Sequence, residues 1–207
     1  MISLYIDTSS NYLYTGLVQD DQLLVETQVC LNQNLSIDAL PIIVQNFEKV
    51  QLQPSDIDRI VVVNGPGSFT GVRIGITIAK VMAWSLQKPI VPISSLEAMA
   101  LSVSNCDYRL PLIDARRGYV YGAIYDKNMK LIVEKQYIPL AKLLELAKKV
   151  GSFTIISNDS FGDLSVVPYH PDILKIVQHV ESWDSVDPHL VNPDYLKKTE
   201  AEEKYNL

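Results

Sequence analysis

Hydrophobic positions change period several times along this chain, and each change marks an element. Ile2 to Ile6 alternates loosely and ends at Asp7-Thr8-Ser9-Ser10-Asn11, which reads as a strand and a polar turn. Tyr12 to Val18 and Gln22 to Val29 read as two further strands joined at Gln19-Asp20-Asp21. After the polar Asn32-Gln33-Asn34, Ser36 is placed to cap a helix to about Val50 that buries Leu40, Ile43, Val44 and Phe47, with Pro41 in its first turns. Pro54-Ser55-Asp56 opens a connector. Ile60 to Val63 is short, apolar and β-branched, as expected of a buried strand. A turn rich in Gly and Pro follows. From Val72 to Leu86 apolar residues recur at helical spacing, then come a strand at Ile90 to Ile93 and a short helix from Leu96 to Val103.

The second half repeats this order. Leu110 to Asp114, Tyr119 to Tyr125 and Lys130 to Tyr137 read as strands, Leu140 to Val150 as a helix burying Leu143, Leu144 and Ala147, and Phe153 to Ser157 as a fourth strand. A β-β-β-α-β unit therefore occurs twice, each time with a first strand that ends in Asp. The expected class is α/β, a two-domain actin-like ATPase (ASKHA) fold facing a cleft, with domains at 1–104 and 105–207. Pro171 to Val180 reads as a further helix and Pro188 to Leu207 as a polar tail.

The stretch Asn64-Gly65-Pro66-Gly67-Ser68-Phe69-Thr70-Gly71 joins a strand to a long helix. Gly65, Gly67 and Gly71 permit positive φ and close approach, Pro66 fixes one φ, and Ser68 and Thr70 both suit a helix N-cap. A loop opening a helix this way offers N–H groups to an anion or to a partner's acceptors. Inside the helix Gly75, Ala79 and Ala83 recur every fourth residue as a smooth stripe. Three readings stand side by side: a structural turn with that stripe on the chain's own sheet, a dinucleotide loop, and recognition of a protein partner. The dinucleotide reading is weakest. Such a loop follows the first strand and is answered by an acidic residue after the next, where this chain has Ser94-Ser95.

Composition is that of a globular protein with a real core: 47% hydrophobic and 20% charged residues. The formal net charge of −6 argues against a chain that holds RNA unaided. Arg116-Arg117 and Lys197-Lys198 read as solvated surface charge. The start of the chain lacks a basic leader, and the longest apolar run, Val72 to Leu86, carries Arg73 and Lys80, so no membrane association is expected. Cys30 and Cys106 have no partner motif and read as reduced thiols of a cytoplasmic protein.

ATPases of this architecture use two Asp-bearing turns for Mg²⁺ and phosphate. Asp7-Thr8-Ser9 suits the first. In the second, Asp114-Ala115-Arg116, a bulky Arg116 stands where Gly would let phosphate approach. Turn capping is the preferred reading of both carboxylates. No paired-glycine cradle for adenosine is evident after residue 150. His170, His179 and His189 lack a metal-ligand spacing, and Ser9 and Ser68 have no identifiable base.

The run Gly65-Pro66-Gly67-Ser68-Phe69-Thr70-Gly71-Val72-Arg73-Ile74-Gly75 resembles the signature of the bacterial TsaB (YeaZ) family. Ile6-Asp7-Thr8-Ser9, Ala79-Lys80, Ser94-Ser95-Leu96-Glu97-Ala98, Asp114-Ala115-Arg116-Arg117 and Pro193-Asp194-Tyr195-Leu196-Lys197 extend the match. Two departures are Leu35-Ser36-Ile37, where many members have His-Ser-Glu, and Lys197, where Arg is usual. The resemblance implies a non-catalytic subunit for threonylcarbamoyladenosine (t6A) in tRNA. It would bind and activate the transferase TsaD, be joined by the ATPase TsaE, and meet tRNA through the complex. It would form a homodimer when alone. No cofactor is implied, save nucleotide held weakly or at a joint interface. The expected partner surface is Val72, Arg73, Ile76, Ala79, Lys80 and Ala83, with the helix after Ser36; the expected degenerate nucleotide site is Asp7, Ser9, Gly65, Gly67, Ser68, Thr70, Gly71, Asp114 and Arg116. The alternative is an enzyme, a kinase-like ATPase or a metallopeptidase of the same fold.

Overall fold

The structure, a computed structural model, describes residues 1–31 and 34–197. The first half forms β1 (Ile2–Asp7), β2 (Tyr12–Gln19), β3 (Gln22–Cys30), α1 (Leu35–Lys49), β4 (Arg59–Val63), α2 (Phe69–Leu86), β5 (Ile90–Ile93) and α3 (Ser95–Leu101). The second forms β6 (Tyr108–Asp114), β7 (Tyr119–Asp126), β8 (Leu131–Pro139), α4 (Leu140–Val150), β9 (Phe153–Ile156), β10 (Val166–Val167) and α5 (Ile173–His179). One sheet has the order β3-β2-β1-β4-β5 and the other β10-β9-β6-β7-β8. Numbered within each unit, both read 3-2-1-4-5. The first three strands pair antiparallel and the last two add in parallel. This is the actin-like (ASKHA) topology, with the expected β-β-β-α-β unit present twice. The two-residue β10 is too short to leave a sequence pattern.

Burial explains the patterns. Leu4, Tyr5, Ile6 and Ile60 to Val63 are fully buried, because β1 and β4 lie inside the sheet with both faces covered. Ile43 and Phe47 of α1 and Val72, Ile76, Ala79 and Ala83 of α2 share one cluster with these strands. In the second sheet α4 lays Leu143 and Ala147 on the strands. It comes close because Gly122 has no side chain: a Cβ there would lie 2.4 Å from Leu143 Cδ2.

Helix α1 departs from expectation at its start and on its face. Its N-cap position is Asn34, and Ser36 lies within the helix. The buried residues are Leu35, Ala39, Ile43, Asn46 and Phe47, whereas Leu40 and Val44, expected inside, are 47% and 40% exposed. Leu35 packs with Leu13 and Ala39, so the departure from His at this position fills a small apolar cluster. Asn32 and Gln33 lie outside the described residues.

The chain divides into two compact units, Met1–Ala98 with Pro171–Pro193, and Met99–His170 with the described residues from Asp194 on. This corrects the expectation of two consecutive blocks. The segment after residue 170 returns to the first unit because it carries what that unit's surface lacks. Arg59, 5% exposed, donates to the carbonyls of Val177 at 3.0 Å and of Val180 and Glu181 at 3.3 Å, and to Ser3 Oγ at 2.9 Å. It thereby satisfies the open carbonyl end of α5. Burial lowers the pKa of its guanidinium. Nor is Pro188 onward a loose tail from its start: Pro188–Leu190 is a 3-10 turn, and Val191 is buried in the first unit's core. The tail beyond Lys197 lies outside the described residues.

Candidate functional site

The glycine loop packs on the turn that follows β1. Asp7 Oδ1 accepts the Ser9 N–H at 2.8 Å, which closes that turn, and the Ser9 carbonyl accepts the Ser68 N–H at 2.7 Å. A Cβ at Gly67 would lie 2.2 Å from the Ser9 carbonyl oxygen, one at Gly71 2.1 Å from the Thr8 carbonyl, and one at Gly75 2.2 Å from Thr8 Oγ1. Three glycines of the motif are therefore required by the chain's own first turn. Of the loop glycines only Gly65 adopts a positive φ, 106°. Its carbonyl accepts the Ser95 N–H at 2.9 Å, and Ser95 Oγ donates to the Pro66 carbonyl. Ser68 is the N-cap of α2 and accepts the Gly71 N–H. The Ser68 and Gly71 N–H groups are thus used inside the fold, and the structural reading of this loop displaces the anion reading for them.

The second turn has the same local chemistry. Asp114 Oδ1 accepts the Arg116 N–H at 2.9 Å, as Asp7 does for Ser9. Both are Asx turns, the capping role preferred from the sequence. Asp7 is 1% exposed, whereas Asp114 is open to solvent. Arg116 has φ 66°, the left-handed region that favours glycine. The backbone keeps the shape of a glycine turn, and an exposed arginine side chain occupies it.

The interface expected on α2 needs correction. Val72, Ile76, Ala79 and Ala83 are between 0% and 4% exposed, all on the chain's own core. Lys80, expected at the rim of a partner contact, donates to the carbonyls of His189 at 3.2 Å and Val191 at 3.0 Å. The smooth stripe lets the sheet, with its glycine turn, come near. Of the six residues expected there, Arg73 alone stands on the open side. Its guanidinium lies 3.8 Å from the Phe69 ring centroid, a cation–π contact.

The open side of α2 is itself apolar. Phe69, Val81 and Trp84 are 53%, 59% and 66% exposed. On α1 the corresponding residues are Ile37, Leu40 and Val44. The helices are neighbours, and a groove of about 470 Å³ runs between Leu40 of α1 and Phe69, Arg73, Ile74 and Ile78 of α2, with Thr70 at its edge. Exposed apolar side chains gathered on one face are a mark of interaction surfaces. Sequence reasoning pointed to these two helices but placed the open apolar face on other residues. The signal was available: both helices are apolar on two sides, which one sheet contact cannot absorb. By length and composition α2 would also pass as a membrane span, although its inner side packs on the sheet.

Known proteins agree with this architecture. Residues 30–170 match the family model described as TsaD, tRNA N6-adenosine threonylcarbamoyltransferase. The tRNA threonylcarbamoyladenosine biosynthesis protein TsaB of Bacillus subtilis is 34% identical over 99% of this chain and 98% of its own. Its Escherichia coli namesake is 32% identical over 60% of this chain and 55% of its own. Among solved structures, YeaZ from Pseudomonas aeruginosa superposes with a TM-score of 0.78 at 21% identity, covering 94% of this chain and 99% of that one. Another P. aeruginosa protein, described as similar to peptidase YeaZ, reaches 0.82 at 21% identity over 95% and 99%. The chain therefore belongs to the TsaB (YeaZ) family of tRNA threonylcarbamoyladenosine biosynthesis proteins and carries the domain that the TsaD family model describes.

Proposed function

We propose that this protein is a non-catalytic subunit that binds and activates a TsaD-type transferase, the enzyme that modifies adenosine 37 of tRNA, in the cytoplasm. The observation that carries the reading is the open apolar face of α1 and α2, with Ile37, Leu40 and Val44 beside Phe69, Val81 and Trp84. A partner with an equivalent helix pair would bury these residues in helix-on-helix packing, with Arg73 and Thr77 giving polar contacts at the groove. The match of residues 30–170 to the TsaD model supports such a pairing, since related folds present related faces. The same face would hold two copies of this chain together when no transferase is present. A TsaE-like ATPase would join the assembly, and tRNA would meet it through the complex.

The first Asp turn supports a structural rather than a catalytic part, because its carboxylate and carbonyls are engaged with the loop that opens α2. Reconstitution tests the reading. With transferase, TsaE-type ATPase, threonylcarbamoyl donor and unmodified tRNA, addition of this chain raises t6A formation, while the chain alone turns over neither ATP nor a peptide. Turnover by the purified chain alone, lost on Asp7→Asn, would establish the enzyme reading instead.

A further inference from the structure

In the second unit β7 and β8 present three tyrosines on one face. Tyr121 and Tyr137 are cross-strand partners, with ring centroids 5.6 Å apart and planes tilted by 48°. Tyr119 stacks on Tyr137 at 4.7 Å and 13°. Alternation along the strands sends Val120 and Ile138 to the core that α4 covers, so the tyrosines stand on the opposite face. Tyr119 is 37% exposed, and the other two are half-buried.

Cations frame this face from two distant parts of the sequence. Lys197 Nζ lies 4.9 Å over the Tyr137 ring. Arg116 and Arg117, both exposed, occupy the turn that enters β7, two and three residues before Tyr119. Of the described acids, Asp194 pairs with Lys135 at 3.2 Å, while Asp114 caps the Arg116 N–H and Asp159 accepts the Asp114 N–H. The fold thus brings Lys197 onto the aromatic surface that the exposed Arg116-Arg117 turn leads into.

We infer that this face is a stacking platform for a single-stranded RNA segment, with an unpaired base on the outer face of Tyr119, which Tyr137 backs, and its phosphates held by Arg116, Arg117 and Lys197. Base stacking on tyrosine tolerates any base, and the surrounding cations supply the charge that a phosphate chain needs. A duplex would keep its bases stacked on one another and could use only the cations. An acidic peptide would likewise ignore the rings. The platform shares no residue with the α1–α2 face, so the two readings fail separately.

Fluorescence anisotropy of the full-length chain at about 50 mM salt tests the inference, with a labelled single-stranded RNA of about ten nucleotides. A hairpin duplex of the same composition and a polyglutamate peptide serve as competitors. Tyr119→Ala weakens single-strand binding by about fivefold or more, whereas Tyr119→Phe retains it. Lys197→Ala reduces the slope of log affinity against log salt by about 0.7. Each variant is checked for a wild-type far-UV CD spectrum. Absence of saturable binding, equal binding by folded Tyr119→Ala, or equal competition by duplex or polyglutamate would overturn the inference.

Discussion

Gly75 and Thr8 fill one another's space. A Cβ at Gly75 would sit 2.2 Å from Thr8 Oγ1, and that hydroxyl donates to the Gly71 carbonyl at 2.7 Å. The first turn of the chain and the start of α2 are thereby locked together across more than sixty residues of sequence. The glycines of the signature motif hold the fold at this joint.

Substitution at the joint is accordingly costly. Gly71→Ala drives a Cβ onto the Thr8 backbone carbonyl, which cannot swing away as a side chain can. The expected loss in denaturant unfolding is about 2 kcal/mol or more. Gly118→Ala is the control: nothing lies within 4 Å of its Cβ, and only its φ of 77° opposes the change. That costs about 1–2 kcal/mol, less than the clash. A Gly71→Ala protein as stable as wild type would disprove the packing account of the motif.

The two sides of α2 respond in opposite ways. Ala79→Glu places a carboxylate in a fully buried site without a counter-ion and loses about 3–5 kcal/mol, enough to unfold many domains of this size. Trp84→Glu, on the open side, changes stability by about 0.5 kcal/mol or less. Thermal unfolding of the pair, read by CD, checks the prediction.

Arg59→Met removes the donor that serves three carbonyls at the end of α5 and leaves Ser3 Oγ without its partner. Buried acceptors left unmatched cost about 1–3 kcal/mol in stability. The segment Pro171–Pro193 then opens more often, and limited proteolysis cuts it faster than in wild type. Unchanged cleavage would show that apolar contacts of Ile173, Ile176 and Val177 hold the segment by themselves.

Tyr121 ionises later than an ordinary tyrosine. Burial raises its pKa first, the Tyr137 phenol adds to the shift, and Lys197 opposes it. The raised value means that the folded state prefers the neutral phenol. The associated stability is complete below the ordinary value of 10.0 and is lost as pH rises through the folded value. The absorbance titration of wild type minus Tyr121→Phe should show one late phenol, and Lys197→Ala should move it later still.

The fold was largely legible because its signals are local. Two sets of alternating strands, each followed by one amphipathic helix, fix the repeated unit, and the apolar run Ile60 to Val63 marks a strand covered on both faces. The rotation of α1 and α2 about their axes was not legible. Leu40 and Ile43 differ by one turn of pattern, and both helices are apolar on two sides, so spacing alone does not say which side meets the sheet. The return of Pro171–Pro193 was hidden for another reason: it depends on single cations, Arg59 and Lys80, finding backbone carbonyls more than a hundred residues away. The same holds for Lys197, which reaches the Tyr137 ring from sixty residues further along the chain.

The central claim is that the open α1–α2 face is what the transferase recognises. The most direct measurement is a calorimetric titration of the TsaD-type transferase of the same organism with wild type and with the folded variants Leu40→Glu and Trp84→Glu. Wild type binds, and each variant weakens binding by about tenfold or more, as expected when a charge is forced into an apolar contact. Undiminished affinity of both folded variants would place the partner on another surface and contradict the account.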